Sequence, residues 1–352
     1  MSRVVSGMRP TGRLHLGNYF GALKNWIELS QRHGCRFFIA DWHMLTTGYE
    51  ETGALRENVR ELVLELLAAG LDPARCLLFR QSDVPEHAEL ALLLGMVTPL
   101  SWLENNPTWK EQLQELSKTK LTRTLSGERS AAPAAGARHE LRTFGHLGYP
   151  VLQAADILLY RGEKVPVGQD QLPHLELSRE IARRFNSLYG QVFPEPQALL
   201  TQTPKLPGLD GRKMSKSYGN ALDLSEAPEA LAKKVMGAYT DPTKLRKDSP
   251  GHPEPCAENP PGCAVYALEK LYLGSDKLRS IAADCRAGKL GCVADKRDNL
   301  LPALEAEYAR MRQQRERFSG VDVEALLAEG AEKARAEARA TMREARRAMG
   351  LA

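Results

Sequence analysis

Two segments far apart in the chain carry side chains suited to phosphate chemistry. Gly211-Arg212-Lys213-Met214-Ser215-Lys216-Ser217-Tyr218-Gly219 sets two lysines and two serines between glycines, a segment able to move and bring cations to a polyphosphate. Phosphoryl and nucleotidyl transfer need charge stabilisation more than a covalent nucleophile, so Lys213 and Lys216 are candidate groups for gripping a leaving pyrophosphate. Near the N-terminus, Gly7-Met8-Arg9-Pro10-Thr11-Gly12-Arg13-Leu14-His15-Leu16-Gly17-Asn18 matches neither GxGxxG nor GxxxxGK[ST]. It does set His15, Gly17 and Asn18 at the start of a helical pattern. Free backbone N–H groups and the positive dipole end attract phosphate there, and Gly17 lets a flat ring approach the backbone. Six cysteines raise a separate question. Cys35 and Cys76 stand alone in strand-like surroundings and suit small buried hydrophobes. Cys256, Cys263, Cys285 and Cys292, with gaps of six, 21 and six residues, suit a metal or iron–sulfur site better than disulfides in a reducing compartment.

These groups need a scaffold. The 352 residues suffice for about two domains at roughly 100–200 residues each. With 43% hydrophobic and 26% charged residues the composition is that of a globular chain, which excludes disorder and low complexity. No apolar run reaches the roughly 18 residues of a membrane span, and the N-terminus lacks a secretory pattern, so a cytoplasmic protein is expected. Short apolar runs at Val4-Gly7, Arg36-Asp41 and Cys76-Gln81 alternate with helical periods over Asn18-His33 and Thr52-Ala69, the latter stopped by Gly70 and Pro73. That order predicts an α/β fold, a Rossmann-like doubly wound parallel sheet, whose ligand sits beyond the carboxyl ends of the strands. From Ser225 onward the strands vanish and a second, α-helical domain is expected, interrupted at Asp248-Gly262. The expected domains are thus 1–224 and 225–352. The stretch from Thr119 to Arg142 lacks a period and reads as a mobile loop over the first domain.

The net charge of +4 is too mild to imply a nucleic-acid partner by itself. The tail is more telling: residues 331–352 hold six basic side chains against three acidic ones. Ala334, Ala338, Met342, Ala345 and Met349 fall on one face, which predicts an amphipathic helix with a basic outer side.

His15-Leu16-Gly17-Asn18 and Lys213-Met214-Ser215-Lys216-Ser217 resemble, in this order, the HIGH and KMSKS signatures of class I aminoacyl-tRNA synthetases. The resemblance narrows at Gly148-Tyr149-Pro150-Val151-Leu152-Gln153-Ala154-Ala155-Asp156 and Val165-Pro166-Val167-Gly168-Gln169-Asp170-Gln171, which are similar to the amino-acid pocket of bacterial tryptophanyl-tRNA synthetases. Ser6-Gly7-Met8-Arg9-Pro10-Thr11-Gly12 and Asp41-Trp42-His43 fit that family too, so the likeness covers nearly the whole chain. It implies activation of L-tryptophan by ATP with Mg2+, giving tryptophanyl-adenylate and pyrophosphate, then transfer to tRNA-Trp, by a homodimer. It also implies roles. Arg9, His15, Gly17, Asn18, Gly168, Asp170, Lys213, Met214, Ser215 and Lys216 would bind ATP, with His15, Asn18, Lys213 and Lys216 catalytic. Val5, His43, Tyr149, Gln153, Asp156, Val165, Val167 and Gln171 would line the tryptophan pocket.

The pocket also makes chemical sense residue by residue. Asp156 lies one helical turn beyond Gln153 and two beyond Tyr149, and can accept the one hydrogen bond that an indole N–H donates. Phenylalanine would leave that acceptor unpaired, which rejects it far more strongly than shape does. Gln153 stands where many bacterial tryptophanyl enzymes carry methionine, and tyrosyl enzymes also use a Gln and an Asp on this helix. Some tryptophanyl enzymes carry a four-cysteine [4Fe–4S] cluster, and Cys285-Arg286-Ala287-Gly288-Lys289-Leu290-Gly291-Cys292 resembles part of it. Asp295 replaces its last cysteine and Cys256 is additional, so either Cys256 completes a set with Cys263, Cys285 and Cys292 or the site is incomplete. The helical domain would read the anticodon, with Asp241-Asp248 and the basic tail as candidate contacts. Three alternatives stand beside this reading: a tyrosyl-tRNA synthetase, a silent paralogue that binds tRNA or a partner, and another adenylate-forming nucleotidyltransferase.

Overall fold

The computed structural model describes residues 1–107, 109, 143–200 and 206–351. The segment from Thr119 to Arg142, read above as a loop, lies outside the described residues. In the first half, β1 (Arg3–Met8), α1 (Lys24–Ser30), β2 (Gly34–Ile39), α2 (Asp41–Gly48), α3 (Leu55–Ala68), β3 (Cys76–Arg80) and α4 (Glu86–Val97) follow the expected alternation. Then come α5 (Phe144–Leu159), β4 (Lys164–Val167), α6 (Leu172–Tyr189) and β5 (Gln197–Leu200). All five strands are parallel in the order β3-β2-β1-β4-β5. Val4 and Val5, on opposite faces of β1, are both buried, as a strand covered by helices on both sides requires. The chain winds outward from β1 in both directions, so the crevice between the carboxyl ends of β1 and β4 is the switch point of the sheet.

One element differs from expectation. The pattern over Asn18-His33 is broken into a turn of helix at Leu16–Asn18, a wide π-type turn at Tyr19–Leu23, and then α1. The wide turn brings Gly21 and Ala22 to the wall of the crevice, and such turns recur where a helix is bent around a site.

Beyond β5 the described residues hold helices and no named strand: α7 (Pro228–Met236), α8 (Ala264–Glu269), α9 (Ser275–Arg286), α10 (Leu301–Arg317) and α11 (Val323–Ala348). Leu304, Tyr308 and Met311 of α10 share a core with Leu62, Val63 and Leu66 of α3. The alanine-rich face of α11, with Ala334, Ala338, Met342 and Ala345 fully buried, packs across β3 beside Phe79. Small side chains allow that approach. At Gly330 a Cβ would stand 1.9 Å from the Leu78 carbonyl oxygen, so only glycine fits.

The basic side of this helix is partly committed to the same contact. Arg335 donates to the Asp83 carbonyl at 2.7 Å, Arg339 to Glu86 at 3.1 Å, and Arg346 to Glu89 at 2.6 Å. These bases hold the helix to the start of α4, which is how an apparent nucleic-acid patch becomes a docking seam.

Candidate active site

Loops leaving β1 and β4 meet α5 in the switch crevice, which holds two adjoining cavities of about 270 and 300 Å³. The first is lined by Val5, Gly7, Gln153, Asp156, Val165, Val167, Gly168 and Gln171. The second is lined by Arg9, His43, Thr47, His146, Tyr149, Gln153, Asp156 and Gln171. Every residue expected at the amino-acid pocket therefore borders one cavity or both. Tyr149, Gln153 and Asp156 come together because α5 sets them at successive turns, its start capped by the Thr143 hydroxyl, which accepts from the His146 N–H.

Asp156 is the buried centre of this arrangement. Its Oδ1 accepts from Gln81 Nε2 at 2.8 Å and from His87 Nδ1 at 2.6 Å, and its Oδ2 accepts from His43 Nε2 at 2.7 Å. Burial would raise its pKa, but the charges and hydrogen bonds of His43 and His87 outweigh that and hold the carboxyl below the usual carboxylate range. A carboxylate offers about four lone-pair sites, and three are filled here. One site on Oδ2 is left for a donor entering the crevice.

The pocket wall is held by further buried contacts. His87 Nε2 meets the Tyr160 hydroxyl at 2.8 Å, and the Tyr149 hydroxyl meets His174 Nε2 at 2.6 Å. Burial pushes Tyr149 up to about 12, with Arg9 opposing, so it stays a neutral phenol. Arg9, which donates to Thr47 Oγ1 at 2.6 Å, points into the second cavity.

The two phosphate-suited segments lie against each other. His15 pairs with Asp223 in an antiparallel bridge, the Leu16 N–H donates to the Leu222 carbonyl at 2.9 Å, and the Leu224 N–H donates to the Leu14 carbonyl at 2.9 Å. Lys216 Nζ donates to the Thr11 carbonyl at 2.9 Å. Burial lowers the Lys216 pKa, with Asp223 and Glu65 opposing. Burial and the nearby Lys216 charge depress His15 to about 4, so its imidazole is neutral at pH 7. Gly17 is enclosed: a Cβ there would lie 2.9 Å from the His15 ring and 3.7 Å from Met214 Sδ.

Not everything expected here is brought to the crevice. The Leu16 N–H is taken by Leu222 and that of Asn18 by the His15 carbonyl, so side chains rather than those backbone groups face a ligand. The Asn18 side chain is held by the His15 N–H at 3.1 Å. Lys213 projects into solvent, Ser215 is half-buried and Met214 is buried beneath the loop. Asp170 lies in the short turn Gln169–Gln171, and its side chain is outside what the structure describes.

Several residues that shape this site were not singled out from the sequence. Gln81 and His87 anchor Asp156, and Asn220 clamps the Lys213-Ser217 loop: its Oδ1 accepts from the Ser215 N–H at 2.8 Å, and its Nδ2 donates to Asp210 at 2.6 Å and to the Lys213 carbonyl at 3.1 Å. Gln81 had a signal, since it directly follows β3 at the carboxyl edge of the sheet. Asn220 had none beyond its nearness to the lysines.

The cysteines divide. Cys263, Cys285 and Cys292 line a small cavity together with Asp295, whereas Cys256 belongs to a different group with His252 and Glu258. Burial pushes Cys263 up to about 12, as expected of a protonated core thiol. Asp295 accepts from Asn299 at 2.7 Å. Three thiols and a hydrogen-bonded carboxyl do not form the four-thiolate set of a [4Fe–4S] cluster.

Comparison with known proteins bears on the whole chain. Residues 1–300 match a family model described as tRNA synthetases class I (W and Y). A tryptophan–tRNA ligase of Aquifex aeolicus is 48% identical over 99% of this chain and 100% of its own length. One of Thermotoga maritima is 44% identical, over 99% of each chain. Among solved structures, tryptophanyl-tRNA synthetase of Campylobacter jejuni, complexed with ADP and tryptophan, superposes with a TM-score of 0.81 at 29% identity, covering 99% of this chain and 100% of that one.

Proposed function

The chain belongs to the class I tRNA synthetases of the tryptophan and tyrosine group, and from that premise we infer that it is a tryptophan–tRNA ligase. The observation that carries this reading is the match, over essentially the full length of both chains, to ligases of that specificity at 48% and 44% identity. The reaction has two steps. A carboxylate oxygen of L-tryptophan attacks the α-phosphorus of ATP, and the bond to the bridging oxygen of pyrophosphate breaks. The terminal ribose hydroxyl of tRNA-Trp then attacks the acyl carbon of the adenylate, with AMP as leaving group.

The residues divide these tasks. The free lone pair on Asp156 Oδ2 receives the indole N–H, with Val5, Val165 and Val167 as apolar wall, His43, Tyr149 and Gln153 around the ring, and Gln171 near the ammonium group. A buried acceptor of this kind selects a donor-bearing side chain, because an unpaired carboxylate in the pocket is costly. Lys216 exchanges the Thr11 carbonyl for phosphate oxygens, and Lys213 joins it to stabilise charge on departing pyrophosphate. His15, neutral at pH 7, hydrogen-bonds phosphate beside Asn18. Arg9, Gly17, Met214 and Ser215 shape the nucleotide site, and Gly168 and Asp170 meet the ribose. Mg2+, general to the family, spreads the phosphate charge when bound. The cysteine cavity enters no step.

Residues 1–224 carry this chemistry, and residues 225–352 are proposed to hold the anticodon arm of the tRNA, where Leu245 stands exposed among Lys244, Arg246 and Lys247. We place the reaction in the cytoplasm; among the described residues no helix is long and apolar enough to cross a membrane. Leu92, Met96, Leu100 and Phe144 are all exposed, Phe144 at 91%, and form apolar surface that a second copy would cover in a homodimer. Light scattering reads that directly. The test of specificity is ATP–pyrophosphate exchange with each standard amino acid in turn. Exchange driven by tryptophan is expected, and equal or greater exchange with tyrosine would overturn the reading.

A further inference from the structure

His252, Cys256 and Glu258 lie on the irregular segment between α7 and α8, beside the cavity of the other three cysteines, which Asp241 and Pro253 help to line, though none of the three ligands lines it. A ring nitrogen of His252, the sulfur of Cys256 and a carboxylate oxygen of Glu258 all stand within 4.8 Å of one another. Tetrahedral metal ligands at bond lengths of about 2.0–2.3 Å sit roughly 3.5 Å apart, so closing the set takes no more than about 1.3 Å of adjustment between any two ligand atoms. We propose that these three side chains form a mononuclear Zn2+ site, with water as fourth ligand, that locks the conformation of this segment ahead of α8.

The donor types favour zinc. A thiolate, an imidazole and one carboxylate suit a borderline cation, whereas Mg2+ and Ca2+ require oxygen alone. The surroundings are built to orient the ring. Asp241 is nearly buried, and its Oδ2 lies 2.9 Å from His252 Nδ1. The same carboxylate accepts from the Thr243 N–H at 2.8 Å and from its hydroxyl at 2.6 Å. A carboxylate that holds one imidazole nitrogen leaves the lone pair of Nε2 for a metal, the usual supporting arrangement of a zinc histidine.

The backbone between the ligands is itself fixed. The Cys256 N–H donates to the Asn259 carbonyl at 3.1 Å, the Asn259 N–H donates to Cys256 Sγ at 3.3 Å, and Asn259 Nδ2 donates to the His252 carbonyl at 3.1 Å. The Cys263 N–H donates to the Pro253 carbonyl at 3.1 Å, so a metal at this loop also fixes the entry to α8. Binding takes the Cys256 thiolate and releases its proton to solvent, without any redox step.

The test uses the full chain, purified without a metal-affinity tag and stripped with EDTA, then titrated with Co2+ and back-titrated with Zn2+. One equivalent of Co2+ should give a thiolate-to-cobalt charge-transfer band that Zn2+ abolishes. Cys256→Ser should remove the band and Cys285→Ser should leave it intact. Asp241→Asn should weaken Zn2+ affinity about 10–100-fold. Glu258 is exposed, so Glu258→Gln should fold normally and also weaken binding. Tryptophan-dependent exchange should be unchanged in Cys256→Ser. Absence of stoichiometric binding, or a band that survives Cys256→Ser and disappears in Cys285→Ser, would overturn the proposal.

Discussion

Glu65 on α3 is a buried carboxyl where three separate segments meet, and its titration should be measurable in the stability of the whole protein. It accepts the Leu14 N–H from the first phosphate-suited segment and the Ser225 hydroxyl, at 3.0 Å, from the chain that follows the second. Arg315 of α10 approaches to 3.9 Å. Burial pushes Glu65 up to about 7, and Asp223 adds to the rise, while the bonds from Leu14 and Ser225 and the Arg315 charge oppose it. An unfolded glutamate titrates near 4.5, so between pH 4.5 and 7 the folded chain binds this proton more tightly. The stability it contributes is therefore full below about pH 4.5 and is lost as pH rises to about 7. At about 1.4 kcal/mol for each pH unit the loss is about 3 kcal/mol. Glu65→Gln keeps the shape and the acceptor but cannot titrate. Urea unfolding of both proteins at pH 5, 6, 7 and 8 isolates the effect, because Glu269, also raised by burial, titrates in both. The wild type should lose about 2–3 kcal/mol relative to the variant across that range. A difference constant to within about 0.5 kcal/mol, well below that expected change, would refute the burial argument.

Other perturbations follow from the same contacts. Asp156→Asn turns an NH2 group toward one of its donors, His43, His87 or Gln81, and should cut kcat/KM for tryptophan about 100-fold while leaving KM for ATP nearly unchanged; equal loss for both substrates would count against its role. Lys216→Ala should lower kcat for exchange about 100-fold or more, read by steady-state kinetics, since it removes a charge that acts on the leaving group. Gly330→Ala places a Cβ against the Leu78 carbonyl and should destabilise the protein by about 3 kcal/mol in chemical unfolding, with the crevice chemistry otherwise intact once folded.

Part of this architecture is written locally in the sequence. The parallel sheet followed from apolar runs alternating with helical periods, and Tyr149, Gln153 and Asp156 could be placed on one face because helical spacing leaves no choice. The meeting of His15 with the Lys213-Ser217 loop rested on resemblance rather than on spacing. The anchors of Asp156 were harder. Gln81 and His87 come from β3 and α4, and nothing local announces that they converge on α5. The tail shows the same limit: an alanine stripe predicts close packing, but only Gly330 hints that the partner is a strand backbone. Cysteine spacing could not separate Cys256 from the other three, since linear distance is silent about which side of a turn a side chain occupies.

The most direct test of the central claim is aminoacylation of a tRNA-Trp transcript with labelled tryptophan, run beside tyrosine and beside a tRNA-Tyr transcript. Tryptophan on the 3′ end of tRNA-Trp is expected, with negligible charging in the other combinations. Stable tyrosine charging of tRNA-Tyr, or no charging of tRNA-Trp by an enzyme that binds ATP and tryptophan, would contradict it.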